Sequence, residues 1–277
     1  MGRIGRGWEM TKMSLRVIRK DKEILIFPII SGLLTLLILG SFVGGIFLTG
    51  GVTGFENAAN NWVYYVLVFA FYLGAFFISI FFNAAIIACA TIRMEGGDPT
   101  VSDGLRIAGQ NIGRIFAWAL VAATVGLIIK AIQDRAGILG KIVMGAIGFA
   151  WTIVTYFVVP VLIYEKLGPW GAVKRSAGIL KNTWGEALVG NLGMGVIFFL
   201  LALPGLFGLM IGVIGVFTWG VAIGVTIIVV AVVYLIVLAI VNSAARTVLV
   251  AALYRYATTG KVSEEFQGFS FQQPFSR

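Results

Sequence analysis

Long apolar runs broken by short polar connections pattern this chain, and they predict spanning helices at 24–49, 62–92, 115–133, 139–164, 186–203 and 219–246. Crossing a hydrocarbon layer of about 30 Å takes roughly 20 apolar residues in a helix, which each run approaches or exceeds. Polar positions are distributed just as unevenly. Of 21 Lys and Arg residues, eighteen lie before the first run, between the second and third, between the fourth and fifth, or after the start of the last connection at Arg246. Only Lys130, Arg135 and Lys141 lie on the other side. Positive charge stays cytoplasmic during insertion, so both termini are expected in the cytoplasm of a cell-membrane, multi-pass protein.

Connections on the sparsely charged side are short and rich in small residues, as in Gly50-Gly51-Val52-Thr53-Gly54. Those on the basic side carry amphipathic segments: Met10 to Lys22, Val101 to Arg114 and Ala172 to Trp184. The second follows Asp98-Pro99-Thr100 and the third follows Gly168-Pro169-Trp170, and proline is favoured at a helix start because its missing N–H needs no partner there. Each segment is expected to lie in the interface as an elbow, apolar side to lipid and basic side to headgroups. The fold class is therefore all-α: a polytopic membrane protein of about six transmembrane helices in three elbow-helix/two-span repeats. The units are 6–93, 98–165 and 168–258, within one membrane domain of residues 1–277 that ends in a cytoplasmic tail, 259–277. Arg106-Ile107-Ala108-Gly109 aligns with Arg175-Ser176-Ala177-Gly178, and Asn83-Ala84-Ala85 with Asn242-Ser243-Ala244. All units enter from one side, unlike inverted-repeat transporters.

The returning helices exceed the membrane: Trp62 to Arg93 spans about 48 Å as a helix, which requires tilt or projection. Gly205 to Thr218, after Pro204, is apolar but short for a span; it reads as a kinked extension of the fifth helix or as a re-entrant segment. A seventh span would reverse the C-terminus against the charge pattern.

Composition narrows function by exclusion. The 277 residues are 59% apolar and 12% charged, with a mean hydropathy of +0.98, whereas soluble domains carry about 25% charged residues. The net charge of +9 sits beside the spans, which suits anionic headgroups and not nucleic acid. Histidine is absent, removing the commonest metal ligand and the usual general base. Cys89 is the single cysteine and reads as a small core residue. The basic stretch from Met1 to Glu23 lacks a signal-peptide pattern, so the first run is expected to be an uncleaved helix.

Few positions carry candidate chemistry. Asn83, Asn191 and Asn242 sit in apolar surroundings, where an amide needs a partner; they are read either as interhelix contacts or as the lining of a polar cavity. Arg16, Arg19, Arg106, Lys174 and Arg175 are the candidate headgroup contacts. Lys130, Asp134, Glu165, Glu186 and Arg246 are placed at helix ends, where snorkelling suffices, so no deep ionisable group of the kind that proton coupling needs is expected. Glu95, Asp98 and Asp103 form an acidic cluster that reads as helix capping and not as a divalent-metal site. The GxxxG pairs Gly208/Gly212 and Gly220/Gly224 read as packing within the chain in preference to a dimer seam. No catalytic residue, cofactor or metal is assigned.

Two passages carry a resemblance. Gly2-Arg3-Ile4-Gly5-Arg6-Gly7-Trp8-Glu9, leading to Asp21-Lys22-Glu23-Ile24-Leu25-Ile26-Phe27-Pro28, and Ala252-Leu253-Tyr254-Arg255-Tyr256-Ala257-Thr258-Thr259-Gly260-Lys261-Val262 are the residues concerned. Together they resemble a prokaryotic, largely archaeal family of polytopic membrane proteins known only as a domain of unknown function. The resemblance implies an integral membrane location and transfers no activity. The expected role is non-enzymatic: a scaffold, accessory subunit or membrane organiser, in contact with membrane lipids and with another membrane protein or a second copy of itself. The alternative is a transporter or channel for a small apolar or zwitterionic substrate between the repeats. A lipid-modifying enzyme ranks third.

Overall fold

The computed structural model describes residues 3–48, 62–261 and 266; the side chains of 3–6, 46, 48, 62–64 and 182–191 lie outside the described set. The expected connection at 50–54 and most of the 259–277 tail lie outside it too. Among the described residues there are helices and no strand: α1 (Arg3–Lys20), a 3₁₀ turn (Lys22–Leu25), α2 (Ile26–Leu48), α3 (Trp62–Met94), α4 (Val101–Gln110), α5 (Ile112–Arg135), α6 (Ile138–Val154), α7 (Val158–Tyr164), α8 (Pro169–Thr218) and α9 (Val221–Thr259). Six stretches of them are long and apolar enough to cross a membrane: Lys22–Gly45, Tyr65–Met94, Ile112–Arg135, Ile138–Tyr164, Leu192–Thr218 and Val221–Thr259. This is an all-helical, multi-pass membrane protein.

Sequential spans pack as hairpins: α2 with α3, α5 with α6, and α8 with α9. α3 also meets α4, α5 and α9, which places it at the centre. Burial is concentrated where the spans meet the basic connections. Ile24, Phe27, Ala84 to Ala90, Ile115, Ala119, Phe157, Val158, Pro160 to Ile163, Ala172, and Ala244 with Ala245 are buried together with Val248, Leu249 and Leu253. Toward the opposite end the helices are exposed, with Leu37 66%, Ile138 82% and Phe217 85% open. Only 11% to 33% of each span's apolar window is buried, so most of that surface faces lipid. In lipid an exposed leucine loses nothing, and helices associate where small residues let backbones approach. The alanine-rich run of α3 supplies that surface. A Cβ on Gly104 of α4 would fall 2.7 Å from Phe27 Cζ, 2.8 Å from Cys89 Sγ and 3.0 Å from the Ala85 carbonyl. Cys89 is accordingly a buried packing residue, 2% exposed.

Three expectations need correction. The elbows do not turn their apolar sides to lipid. Met10, Met13, Val17 and Ile18 of α1 are at most 5% exposed, and α1 packs on α8 and α9. Gly104 and Ala108 of α4 and Ala172, Ile179 and Leu180 of α8 are buried likewise. Second, the third elbow is not a separate helix: α8 runs unbroken for 50 residues, about 75 Å, through the elbow and the span. The connections grade from the Asp21 break and 3₁₀ turn, through the single residue Asn111, to none. Third, the returning span at 139–164 breaks at 155–157. Pro160 has no N–H to bond the Tyr156 carbonyl and its ring crowds that carbonyl, while the Phe157 N–H instead donates to Ser176 Oγ at 2.9 Å.

The segment after Pro204 is settled as well. Residues 205–218 extend the fifth helix and do not form a re-entrant segment.

Candidate functional site

The α8–α9 hairpin turns at Gly220, whose φ of 99° is a conformation glycine adopts without strain. From there the helices are zipped by glycines at helical spacing. A Cβ on Gly212 would lie 2.6 Å from Ile228 Cγ1, 3.0 Å from Ile228 N and 3.1 Å from the Gly224 carbonyl. Gly208 faces Ala231, Gly205 faces Leu235, and a Cβ on Gly224 would land on the Val216 amide. Gly208/Gly212 therefore packs within the chain, while in Gly220/Gly224 only the second glycine packs and the first makes the turn. Pro204 leaves the Leu200 carbonyl without its helical donor. In the same turn the Leu201 carbonyl accepts a bond from the Tyr234 hydroxyl of α9, at 2.5 Å.

Beyond this zipped region, on the N-terminal side of Pro204, a groove of about 360 Å³ opens between the two helices. Its walls are Phe198, Phe199 and Ala202 of α8 with Leu235, Leu238 and Ala239 of α9; Gly195, Asn242 and Arg246 close its polar end. Arg246 donates from Nε to Asn242 Oδ1 at 3.0 Å, one helical turn away. The guanidinium lies over Gly195, where a Cβ would be 3.4 Å from Nη2.

This corrects the placement of Arg246 at a helix end. It lies within α9, which continues to Thr259 and ends at Gly260, left-handed with φ 68°. Of the three candidate asparagines, Asn242 lines the groove and Asn83 does not appear among its lining residues. Asn83 instead accepts from Thr247 Oγ1 at 3.2 Å, joining α3 to α9. Asn191 is on α8, and its side chain lies outside the described residues, as does that of Glu186.

At the basic end, ionic and polar ties link the hairpins. Arg93 of α3 donates from Nε and Nη2 to the buried carboxylate of Asp21, and also to Asp98. The Val101 amide donates to Glu23 at 3.2 Å, and Arg114 donates to the Lys166 carbonyl at 3.1 Å. Glu165 pairs with Arg175 at 2.8 Å and accepts from the Tyr254 hydroxyl at 3.1 Å, while Arg255 donates to the Met94 carbonyl. Among the headgroup candidates, Arg16, Arg19, Arg106, Lys174 and Arg175 are all exposed. Two of them have partners within the chain: Arg175 with Glu165, and Arg106 with Asp103 at 2.6 Å.

Within the acidic cluster, Asp103 forms a reciprocal capping box with Thr100. Its amide donates to Thr100 Oγ1 at 3.2 Å, and its carboxylate accepts from the Thr100 amide at 3.1 Å. Hydrogen bonds from the Thr100 side chain, then from its backbone, hold the Asp103 carboxyl below the usual carboxylate range. Among the described residues, no group of three metal-ligating side chains comes together.

Sequence reasoning missed the groove and the role of Glu165 as a junction. The i, i+4 spacing of Asn242 and Arg246, with thirteen further helical residues before Gly260, was the available signal for the first. Glu165 offered none, since its partners come from α8 and α9.

A family model described as a family of unknown function (DUF6159) matches residues 62–264. The match takes in the passage 252–262 and begins after the N-terminal one. Neither a curated protein nor a solved structure matches the chain.

Proposed function

The chain belongs to that family of unknown function, and we propose that it is a non-catalytic organiser of the cell membrane, acting as a scaffold or accessory subunit. The observation that carries this reading is the asymmetry of packing. Buried side chains and cross-chain ties gather at the basic end, while the spans present broad apolar faces to the bilayer. Such a surface suits lateral contact with lipid or another membrane protein. The charge census supports a cytoplasmic basic end, with exposed Arg16, Arg19 and Lys174 facing anionic headgroups. Three hairpins, each preceded by a basic-side helical segment, support the reading as a threefold internal repeat.

The transporter alternative needs its asparagines around one path. Asn83 is engaged with Thr247, and the groove contains Asn242 on a single hairpin, which favours the organiser. Gentle extraction followed by native mass spectrometry tests the choice. Reproducible co-purification of a second polypeptide, or of a second copy, is the expected result. Protein-dependent flux of small zwitterionic or apolar solutes across reconstituted liposomes overturns it.

A further inference from the structure

We infer that the groove between α8 and α9 is a binding site for one anionic phospholipid, held from the leaflet at the basic end of the protein. The inference stands apart from the organiser reading, since either an organiser or a transporter can carry such a lipid.

Three observations converge. The first is depth. Arg246 lies 25 residues after Val221, about 38 Å along α9, so a hydrocarbon layer of about 30 Å entered near the hairpin turn ends short of it. The guanidinium therefore sits at headgroup level. From Arg246 back to Leu235 the groove runs about 17 Å, long enough to pass from headgroup level into the acyl layer. The second is polarity. Its lining passes from Arg246 and Asn242 at one end to Phe198, Ala202, Leu235 and Leu238, matching an amphiphile head to tail. The third is charge. Among the described residues, the nine that line it include no acidic one, and a guanidinium is a fork of five donors, so Arg246 can keep Asn242 and its other partner and still serve a phosphate.

The local chain explains why the groove exists. Glycines at 205, 208, 212 and 215 draw the helices together on one side of Pro204, and Phe198 and Phe199 occupy the other. Gly195 lies beside the guanidinium, where a Cβ would be in ordinary contact with Nη2 at 3.4 Å.

The test is a titration of the delipidated full-length protein in non-ionic detergent with dioleoylphosphatidylglycerol or dioleoylphosphatidylcholine, read by native mass spectrometry. One phosphatidylglycerol should bind with about a tenfold preference over phosphatidylcholine, in line with one charge-assisted hydrogen bond. Arg246→Gln should reduce that preference to about one while one lipid still binds, and Arg246→Lys should restore part of it. Ala239→Trp, at an exposed position on the groove wall, should exclude both lipids without lowering helicity or melting temperature. An undiminished preference in Arg246→Gln overturns the headgroup assignment. An unchanged lipid count in Ala239→Trp overturns the site.

Discussion

Replacing Gly212 by alanine adds one methyl group where two backbones meet. The new Cβ would sit 2.6 Å from Ile228 Cγ1 and 3.0 Å from Ile228 N, and the second contact is with a helix that cannot rotate away. Overpacking of this kind typically costs about 1–3 kcal/mol. Against it stands the gain from replacing glycine within a helix, about 1 kcal/mol at most. The net expectation is a loss of up to about 2 kcal/mol. Gly40 of α2 is the control, because it is a mid-helix glycine with nothing within 4 Å of a built Cβ. There the same substitution should give only the gain. Reversible unfolding in mixed micelles, followed by tryptophan fluorescence, measures both. Gly212→Ala should unfold more readily than wild type and Gly40→Ala less readily. If Gly212→Ala is as stable as Gly40→Ala, the hairpin is not held by close glycine packing and the reasoning fails.

Other expectations follow from the ties at the basic end and from the loosened turn. Asp21→Ala leaves Arg93 with Asp98 alone; because Asp21 is buried, the cost should approach the lower range for a broken buried pair, about 3 kcal/mol, and amide exchange should quicken at 21–27 and 93–98. Thr100→Ala removes the cap of α4 at a cost of about 1 kcal/mol, seen as faster exchange of the Asp103 and Gly104 amides. Asp103 has a lowered folded-state value, so its contribution is complete above the ordinary carboxylate value and fades as pH falls through the folded one. Exchange at 103–104 should therefore rise on acidification in wild type and respond far less in Asp103→Asn. Tyr234→Phe deletes the bond to the Leu201 carbonyl and should cost about 0.6 kcal/mol in the same unfolding assay.

The spans were legible because lipid imposes a length and a composition that few other structures meet. What each apolar face touches was not legible. The stripe Met10, Met13, Val17 is equally suited to acyl chains and to alanine-rich helices, and only tertiary structure shows that it meets α8 and α9. Helix breaks were partly legible. Pro169 marks a start as expected, Pro160 lies in the first turn of α7 six residues after α6 ends, and Pro204 leaves α8 continuous. At the first break the Phe157 amide is taken up by Ser176, while near Pro204 the Leu201 carbonyl also bonds Tyr234. At the candidate site, Asn242 stood out as an amide among apolar residues. Arg246 was read as marking where the last stretch leaves the lipid, which hid its place beside Asn242 on a helix that continues to Thr259.

The core at the basic end cannot be completed until the last helix exists. α9 touches α1, α2, α3, α7 and α8, and its segment Ala244 to Leu253 supplies a large part of the buried surface. During synthesis the first two hairpins can already pack through α3, α4 and α5, while α1 still lacks both helices against which it mainly packs. Arrival of the third hairpin then closes the core at the basic end around α1, so the N-terminal helix is the part that waits longest for its neighbours.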